Sequence, residues 1–197
     1  MICHWHKQLR YACRLLSTRL TWGLRFGSLG RRVTLGRCRI GNQLKAVFIG
    51  EHTMITDDWS FASLTTDEEP APVIRIGAWC RIQHDFQINV RTRVVVGDHC
   101  LIGPRVFITD ADHVMPSDDS ILSDSRAFHC APVIIEESCW LGVNAVILKG
   151  VTIGHHSVIG ANSVVTKSVP PRSIVVGSPA RVVGQVGQRP ADKGLAS

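Results

Sequence analysis

The chain has 197 residues, 45% of them hydrophobic and only 6% aromatic, with 22 Lys and Arg against 16 Asp and Glu for a formal charge of +6. That length suits one domain with an appendage, the apolar fraction is enough for a continuous core, and no stretch is long and apolar enough to span a bilayer. Seven cysteines without a CxxC pair make a poor disulfide framework and a poor zinc site, so the expectation is reduced thiols, no metal and a cytoplasmic protein.

The basic charge sits at the start. Residues 1–50 hold ten Lys and Arg and no acid, whereas the other 147 hold 12 basic and 16 acidic groups, a net of −4. Such asymmetry points to an acidic partner. Within the basic segment 1–33, residues 4–26 read as an amphipathic helix. Trp5, Leu9, Ala12, Leu16 and Leu20 follow helical spacing, and Lys7, Arg10 and Arg14 fall on another face. Two roles stay open for it: a cap on the end of the domain, or peripheral contact with the inner face of a membrane. A nucleic-acid partner is not expected, because no recognised module follows. Arg14, Arg19 and Arg25 interrupt the apolar run, so the segment does not read as a signal peptide.

From residue 34 onward a period of six takes over. Ile135, Leu141, Ile147, Ile153, Ile159 and Val165 are spaced by six without a miss. Neither a helix nor a single strand repeats at six, but a chain wound into triangular coils does, with three six-residue sides per turn. Upstream triplets repeat the rhythm: Val96, Ile102 and Ile108; Ile76, Ile82 and Ile88; more weakly Ile49, Ile55 and Phe61; weakest Thr34, Ile40 and Ala46. This predicts an all-β parallel β-helix of about five coils over 34–170. Val96 to Ile135 is 39 residues, which predicts a loop excursion near 109–132, and a long loop in a compact repeat is commonly functional.

The period also sorts the side chains. Cys38, Cys80, Cys100 and Cys139 lie four residues after an anchor, where a tight buried side favours small apolar groups. His52, His99 and His156 lie three after an anchor, as do Asn144 and Asn162, which predicts corners with positive φ. The low aromatic content predicts a narrow interior that excludes large rings. Pro170 and Pro171 are expected to end the coils, 171–186 to form a closing extended segment, and 187–197 a disordered tail.

The run Trp140-Leu141-Gly142-Val143-Asn144-Ala145-Val146-Ile147-Leu148-Lys149-Gly150-Val151-Thr152-Ile153-Gly154 leads to Ser157-Val158-Ile159-Gly160-Ala161-Asn162-Ser163-Val164-Val165-Thr166-Lys167 and then to Gly177-Ser178-Pro179-Ala180-Arg181. Over about residues 76–184 this resembles the hexapeptide-repeat acyltransferases, especially the maltose, galactoside and lipopolysaccharide O-acetyltransferase branch. The resemblance implies a left-handed β-helix, a homotrimer, and acetyl-CoA bound between neighbouring subunits.

With the corner histidines set aside, and with them His84 and His155 as exposed side residues and His4 and His6 of the N-terminal segment, His113 and His129 remain in the excursion, and the resemblance assigns the catalytic base to His113. It also points to a backbone N–H of Gly142 or Val143 for the oxyanion. Trp140, Ala161 and Thr166 are implied to line the pantetheine channel, with Lys167 and Arg181 as phosphate partners. Polar residues on the preceding coils are the acceptor-binding candidates: Gln83, His84, Asp85, Asn89 and Arg91. Asp110 and Asp112 are open between orienting His113, binding acceptor hydroxyls, and simply solubilising the loop.

The chemistry implied is direct transfer of acetyl to a sugar hydroxyl, in which an imidazole takes the hydroxyl proton and later returns it to the leaving thiolate. The acceptor expected is a sugar or glycan of cell-surface polysaccharide or lipopolysaccharide synthesis, and the basic start favours a lipid-linked or nucleotide-linked intermediate. Other classes share the repeat: a serine or amino-sugar N/O-acetyltransferase, a γ-type carbonic anhydrase, or a non-enzymatic scaffold. Residues 1–33 are too short for the helical domain of the serine enzymes. His113 and His129 lie 16 apart, unlike the close pair of the anhydrases.

Overall fold

The structure is a computed structural model and describes residues 13–65, 70–115 and 127–187. The first part of the helical segment, including Trp5, Leu9 and Ala12, lies outside the described residues, as do the middle of the excursion and the tail from 188.

Short strands stack into three parallel sheets that form the faces of a triangular prism. The first sheet runs Ser28–Leu29, Val47–Ile49, Val73–Ile76, Arg93–Val96, Val133–Ile135, Thr152–Ile153. The second runs Thr34–Leu35, Met54–Ile55, Arg81–Ile82, Leu101–Ile102, Trp140–Leu141, Val158–Ile159 and Ser173–Gly177, and the third Cys38–Gly41, Trp59–Ser63, Gln87–Val90, Phe107–Thr109, Val146–Ile147, Val164–Val165. The register is anchor on anchor: Ile76 beside Val96, Ile102 beside Leu141, Ile147 beside Val165. Every anchor from Ile49 to Val165 is buried, and each contributes about 1.5–3 kcal/mol of apolar burial.

The corners obey the sequence rule. His52, His99, His156, Asn144 and Asn162 all take φ between 57° and 60°. So do residues that the type-based argument did not single out, among them Trp79, Asp85 and Arg105 at 55–60°. The turn imposes the left-handed conformation on whatever residue falls there, at about 1–2 kcal/mol each.

The residues four after the first-sheet anchors do more than fill space. Thr53 donates to the Gly77 carbonyl at 2.7 Å, Cys80 to Gly97 at 3.1 Å and Cys100 to Glu136 at 3.3 Å. Cys139 donates to Gly154 at 3.3 Å and Ser157 to Pro170 at 3.0 Å. Each small side chain thus bonds the carbonyl just past the anchor on the next coil. The six described cysteines are free thiols.

Three expectations are corrected. The stack has six complete coils and a partial seventh, not about five. Its first coil is anchored on Leu29, Leu35 and Gly41, which pair with Ile49, Ile55 and Phe61. Ile40 of the expected triplet is 52% exposed, and Ala46 ends a short 3₁₀ turn whose Leu44 fills the space that Gly41 leaves open.

The prolines do not end the coils either. Val169 bridges Ile153, Arg172 takes the corner φ, and Ser173–Gly177 continues the second sheet before Ala180–Gln185 folds back antiparallel. In lower coils the residue after the anchor donates its N–H to the next coil, as Gly154 does to the Val169 carbonyl. Among the described residues no first-sheet strand follows Val169, so Pro170 forfeits no ladder bond there.

Nor does the interior exclude rings, since Trp59, Phe61 and Phe86 are buried in the early coils. Room comes from small neighbours in the adjacent coil: Cys38 beside Trp59 and Gly41 beside Phe61. The helix, described from residue 13 to 22, covers the open end of this aromatic cluster. Trp22 and Phe26 pack on Trp59 with ring centroids at 5.5 and 6.0 Å, and the buried Thr18 hydroxyl accepts the Leu35 N–H at 3.0 Å. The face packed on the prism is therefore Thr18, Trp22 and Phe26, while Leu16 and Leu20 point to solvent.

Candidate functional site

The expected residues gather at two corners of the prism. Along the corner that follows the second sheet, the position just after each anchor is Gln83, Gly103, Gly142 and Gly160 in successive coils. The glycines are sterically required: a Cβ on Gly142 would lie 2.7 Å from the Ala161 nitrogen, and one on Gly103 2.9 Å from that of Val143. Loss of three side chains in a row leaves a groove of about 370 Å³. Gln83, Trp140, Gly142, Val143 and Ala161 all line it, and Trp140 stands 54% exposed on its wall. Arg181 pairs across the closing hairpin with Val176, whose side chain lies against Gly160, so it sits at the far end of the same line. The Gly142 N–H is committed to the Ile159 carbonyl at 2.8 Å, which leaves Val143 as the candidate donor toward the groove.

The other corner follows the third sheet, where the excursion leaves. Its base is a hairpin: Ala111–His113 runs antiparallel to Phe128–Cys130, with His113 opposite Phe128 and Asp112 opposite His129. The exposed His113 ring rests on Phe128 at 4.3 Å between centroids. On the coil before, Asn89 pairs with Thr109 and accepts from Gln87 at 3.0 Å. Arg91 places its guanidinium 4.5 Å from the Phe128 ring centroid and donates to the Leu64 carbonyl at 2.5 Å. On the coil after, Lys149 bonds Asp112 at 2.5 Å. Thr166 and Lys167 are exposed one coil further, directly after Val165, the partner of Ile147.

Four acceptor candidates do not face the His113 corner: Gln83 lines the groove, His84 lies beside Asp85, and the two carboxylates are spent. Asp110 is fully buried, and its carboxylate accepts four bonds at 2.7 Å: the N–H groups of Arg91, Thr92 and Arg93 and the Thr92 hydroxyl. It pins the turn at residues 91–93, where its own coil begins, and faces no acceptor. Asp85 is a corner residue with φ 57°, and its carboxylate is shared between His84 at 2.9 Å and Arg39 at 3.5 Å.

Sequence reasoning missed Phe128, which touches both His113 and Arg91, and Lys149, the partner of Asp112. Alternation on a hairpin registered at His113 points to Phe128 once the hairpin is known; period six carries no such signal. Among the described residues no three His, Cys, Asp or Glu side chains converge on a metal site.

Comparison with known proteins follows the same lines. A family model for the hexapeptide repeat of succinyl-transferase matches residues 132–167. The galactoside O-acetyltransferase of Escherichia coli K12 is 33% identical over 127 residues, 61% of each chain. WbbJ of the same organism, named for lipopolysaccharide biosynthesis O-acetyl transfer, is 38% identical over 96 residues, 46% of this chain and 49% of WbbJ. The chain thus spans about half to three fifths of these two relatives. A hexapeptide-repeat acetyltransferase from Vibrio cholerae O1 biovar eltor, solved in complex with acetyl-CoA, superposes with a TM-score of 0.58 at 30% identity, covering 88% of this chain and 78% of that one. Stacked coils, corner geometry and these likenesses agree: the chain belongs to the hexapeptide-repeat acyltransferase family and is built on its left-handed parallel β-helix.

Proposed function

We propose that this protein transfers an acetyl group from acetyl-CoA to a hydroxyl of a sugar acceptor, with His113 as general base. The observation that carries the proposal is the glycine-floored groove beside the exposed Trp140, on a chain 30% identical to an acetyltransferase solved with acetyl-CoA. A groove without side chains on its floor accepts a thin pantetheine arm, and Trp140 supplies an apolar wall. Arg181 at its end and Lys167 at the neighbouring corner are the cations for the CoA phosphates.

In the reaction the acceptor hydroxyl loses its proton to a nitrogen of His113 as its oxygen attacks the thioester carbonyl. The oxyanion of the tetrahedral intermediate is met by the Val143 N–H. Collapse breaks the C–S bond, and the proton passes from His113 to the departing thiolate. No covalent enzyme intermediate is needed.

His113 and the groove lie on different corners of one prism. The reading therefore places His113 of one subunit against the groove of a neighbour, in a homotrimer whose flat faces pack cyclically. Asn89, Arg91 and Phe128 around His113 form the acceptor side, with the planar Phe128 ring and the Arg91 guanidinium suited to a sugar ring and an anionic group. That composition, together with the likeness to WbbJ, favours a glycan intermediate of lipopolysaccharide or another cell-surface polysaccharide, acetylated in the cytoplasm.

The test is thiol release from acetyl-CoA across free sugars, nucleotide sugars, lipid-linked glycans and serine, with wild type and His113→Ala. Expected is acceptor-dependent release that falls by about 10²–10⁴-fold in the variant. Release supported best by serine or by an amino group moves the reading to that acceptor class. Absence of both release and acetyl-CoA binding rejects it.

A further inference from the structure

The amino-terminal helix carries a second apolar face that the fold does not use. Leu16 and Leu20, one turn apart on the helix, are 62% and 77% exposed, and Leu24, in the turn just after it, is 90% exposed. At ~100° per residue, Leu20 lies about 160° from Trp22 around the helix axis, opposite the face that packs on Trp59. Arg14 and Arg19 fall on the two margins between these faces. Three large aliphatic side chains within nine residues, all in solvent, form an apolar patch of the kind that marks an interaction surface.

The charge around the patch selects its partner. Residues 13–50 contain eight Lys and Arg and no acid. Arg14, Arg31, Arg37 and Arg39 pair with Asp57, Glu51, Asp58 and Asp85, but Arg19, Arg25, Arg32 and Lys45 make no such ion pair among the described residues. The chain beyond residue 50 is net negative. One pole of the prism is thus basic with a leucine ridge on it, and the body behind it is acidic. Two such poles brought together would set like charges face to face, which argues against a second copy. Nucleic acid would satisfy the arginines and leave the leucines in water. An anionic lipid surface satisfies both: the leucines enter the acyl boundary, the marginal arginines meet headgroups, and the negative body is held away.

We propose that this pole, through Leu16, Leu20 and Leu24 with Arg19, Arg25, Arg32 and Lys45 on the same end of the prism, docks the enzyme on an anionic membrane surface. The inference stands on the helix and its charge alone and does not require the acyl-transfer reading.

The experiment is co-sedimentation of the full chain with vesicles of phosphatidylcholine and of an equal mixture of phosphatidylcholine and phosphatidylglycerol, at low and high salt. Two variants accompany wild type: Leu16→Gln/Leu20→Gln/Leu24→Gln, and Arg32→Glu/Lys45→Glu. All these side chains are exposed, so both variants are expected to melt with wild type. Expected is binding to the anionic vesicles that weakens with salt and drops at least about tenfold in the leucine variant and several-fold in the charge variant. Wild-type protein left in the supernatant at low salt overturns the proposal, as does unchanged binding in either variant. Loss of self-association in the leucine variant, seen by sedimentation velocity without vesicle binding, assigns the ridge to a second copy instead.

Discussion

Thr92 is tied to Asp110 twice: its backbone N–H and its hydroxyl both donate to Oδ2 of the buried carboxylate, each at 2.7 Å. Oδ2 also receives the Arg93 N–H and Oδ1 that of Arg91. Asp110 stands three residues before His113, so the same group that ties the end of a coil to the turn where it began holds the base of the hairpin that carries the imidazole.

Asp110→Asn removes an acceptor and points an amide at N–H donors. Unfolding in urea is expected to show a loss of about 2–4 kcal/mol, because charge-assisted bonds are replaced by a buried clash of donors. A variant as stable as wild type would mean that the carboxylate does not carry this corner.

Gly142→Ala forces a Cβ to 2.7 Å from the Ala161 nitrogen, a backbone atom held between coils. A cost of about 1–3 kcal/mol is expected from spreading two coils. Gly184→Ala is the control: its Cβ would meet nothing nearer than 3.8 Å, and its melting should match wild type within about 0.5 kcal/mol. Equal effects in the two variants would remove the steric basis of the groove.

Trp140 is half exposed on the groove wall, so Trp140→Ala should melt within about 1 kcal/mol of wild type. If the groove takes the pantetheine arm, KM for acetyl-CoA rises on the order of tenfold with kcat little changed, the pattern of lost uniform binding. An unaltered KM places the cofactor elsewhere.

Burial pushes the Cys38 thiol up from its ordinary 9.0 to about 11, against the opposing pull of Arg25. A raised folded-state pKa means that the native protein keeps the proton longer than the unfolded chain. Its contribution is therefore present below about pH 9 and is lost as pH climbs to about 11. Stability measured across that window should fall more steeply in wild type than in Cys38→Ser. In alkylation near neutral pH the exposed Cys13 and Cys130 should react before Cys38.

Much of the prism was legible because its code is local. The anchors, the left-handed corners at His52, His99, His156, Asn144 and Asn162, and the buried places of Cys80, Cys100 and Cys139 all follow from counting in sixes. Counting failed where the coil met something other than another coil. At the start, Ile40 offered a better hydrophobe than Gly41, yet the strand paired on Gly41 because Leu44 fills its space from the following turn. At the end, prolines that break an inner ladder are harmless on the last rung. In the site, Trp140, Gly142, Val143 and Ala161, singled out by the family resemblance and not by the period, line one groove, whereas Asp85 and Asp110 could be named as acceptor candidates because a residue type does not tell a spent carboxylate from an available one.

The sequence by itself determined the repeat, the depth of each anchor from Ile49 to Val165, the point where the excursion leaves and the polarity of charge from one end to the other. These depend on period and composition, which a single chain displays in order. Only the tertiary structure decided which face of the helix caps the prism, that the cysteine thiols bond carbonyls on the next coil, that Asp110 is buried under residues 91–93, and that Phe128 lies against His113. Each of these is a contact between residues that the chain separates by 15 to 37 positions, and such separations close only when coil is laid on coil, the helix on the prism or the hairpin on itself.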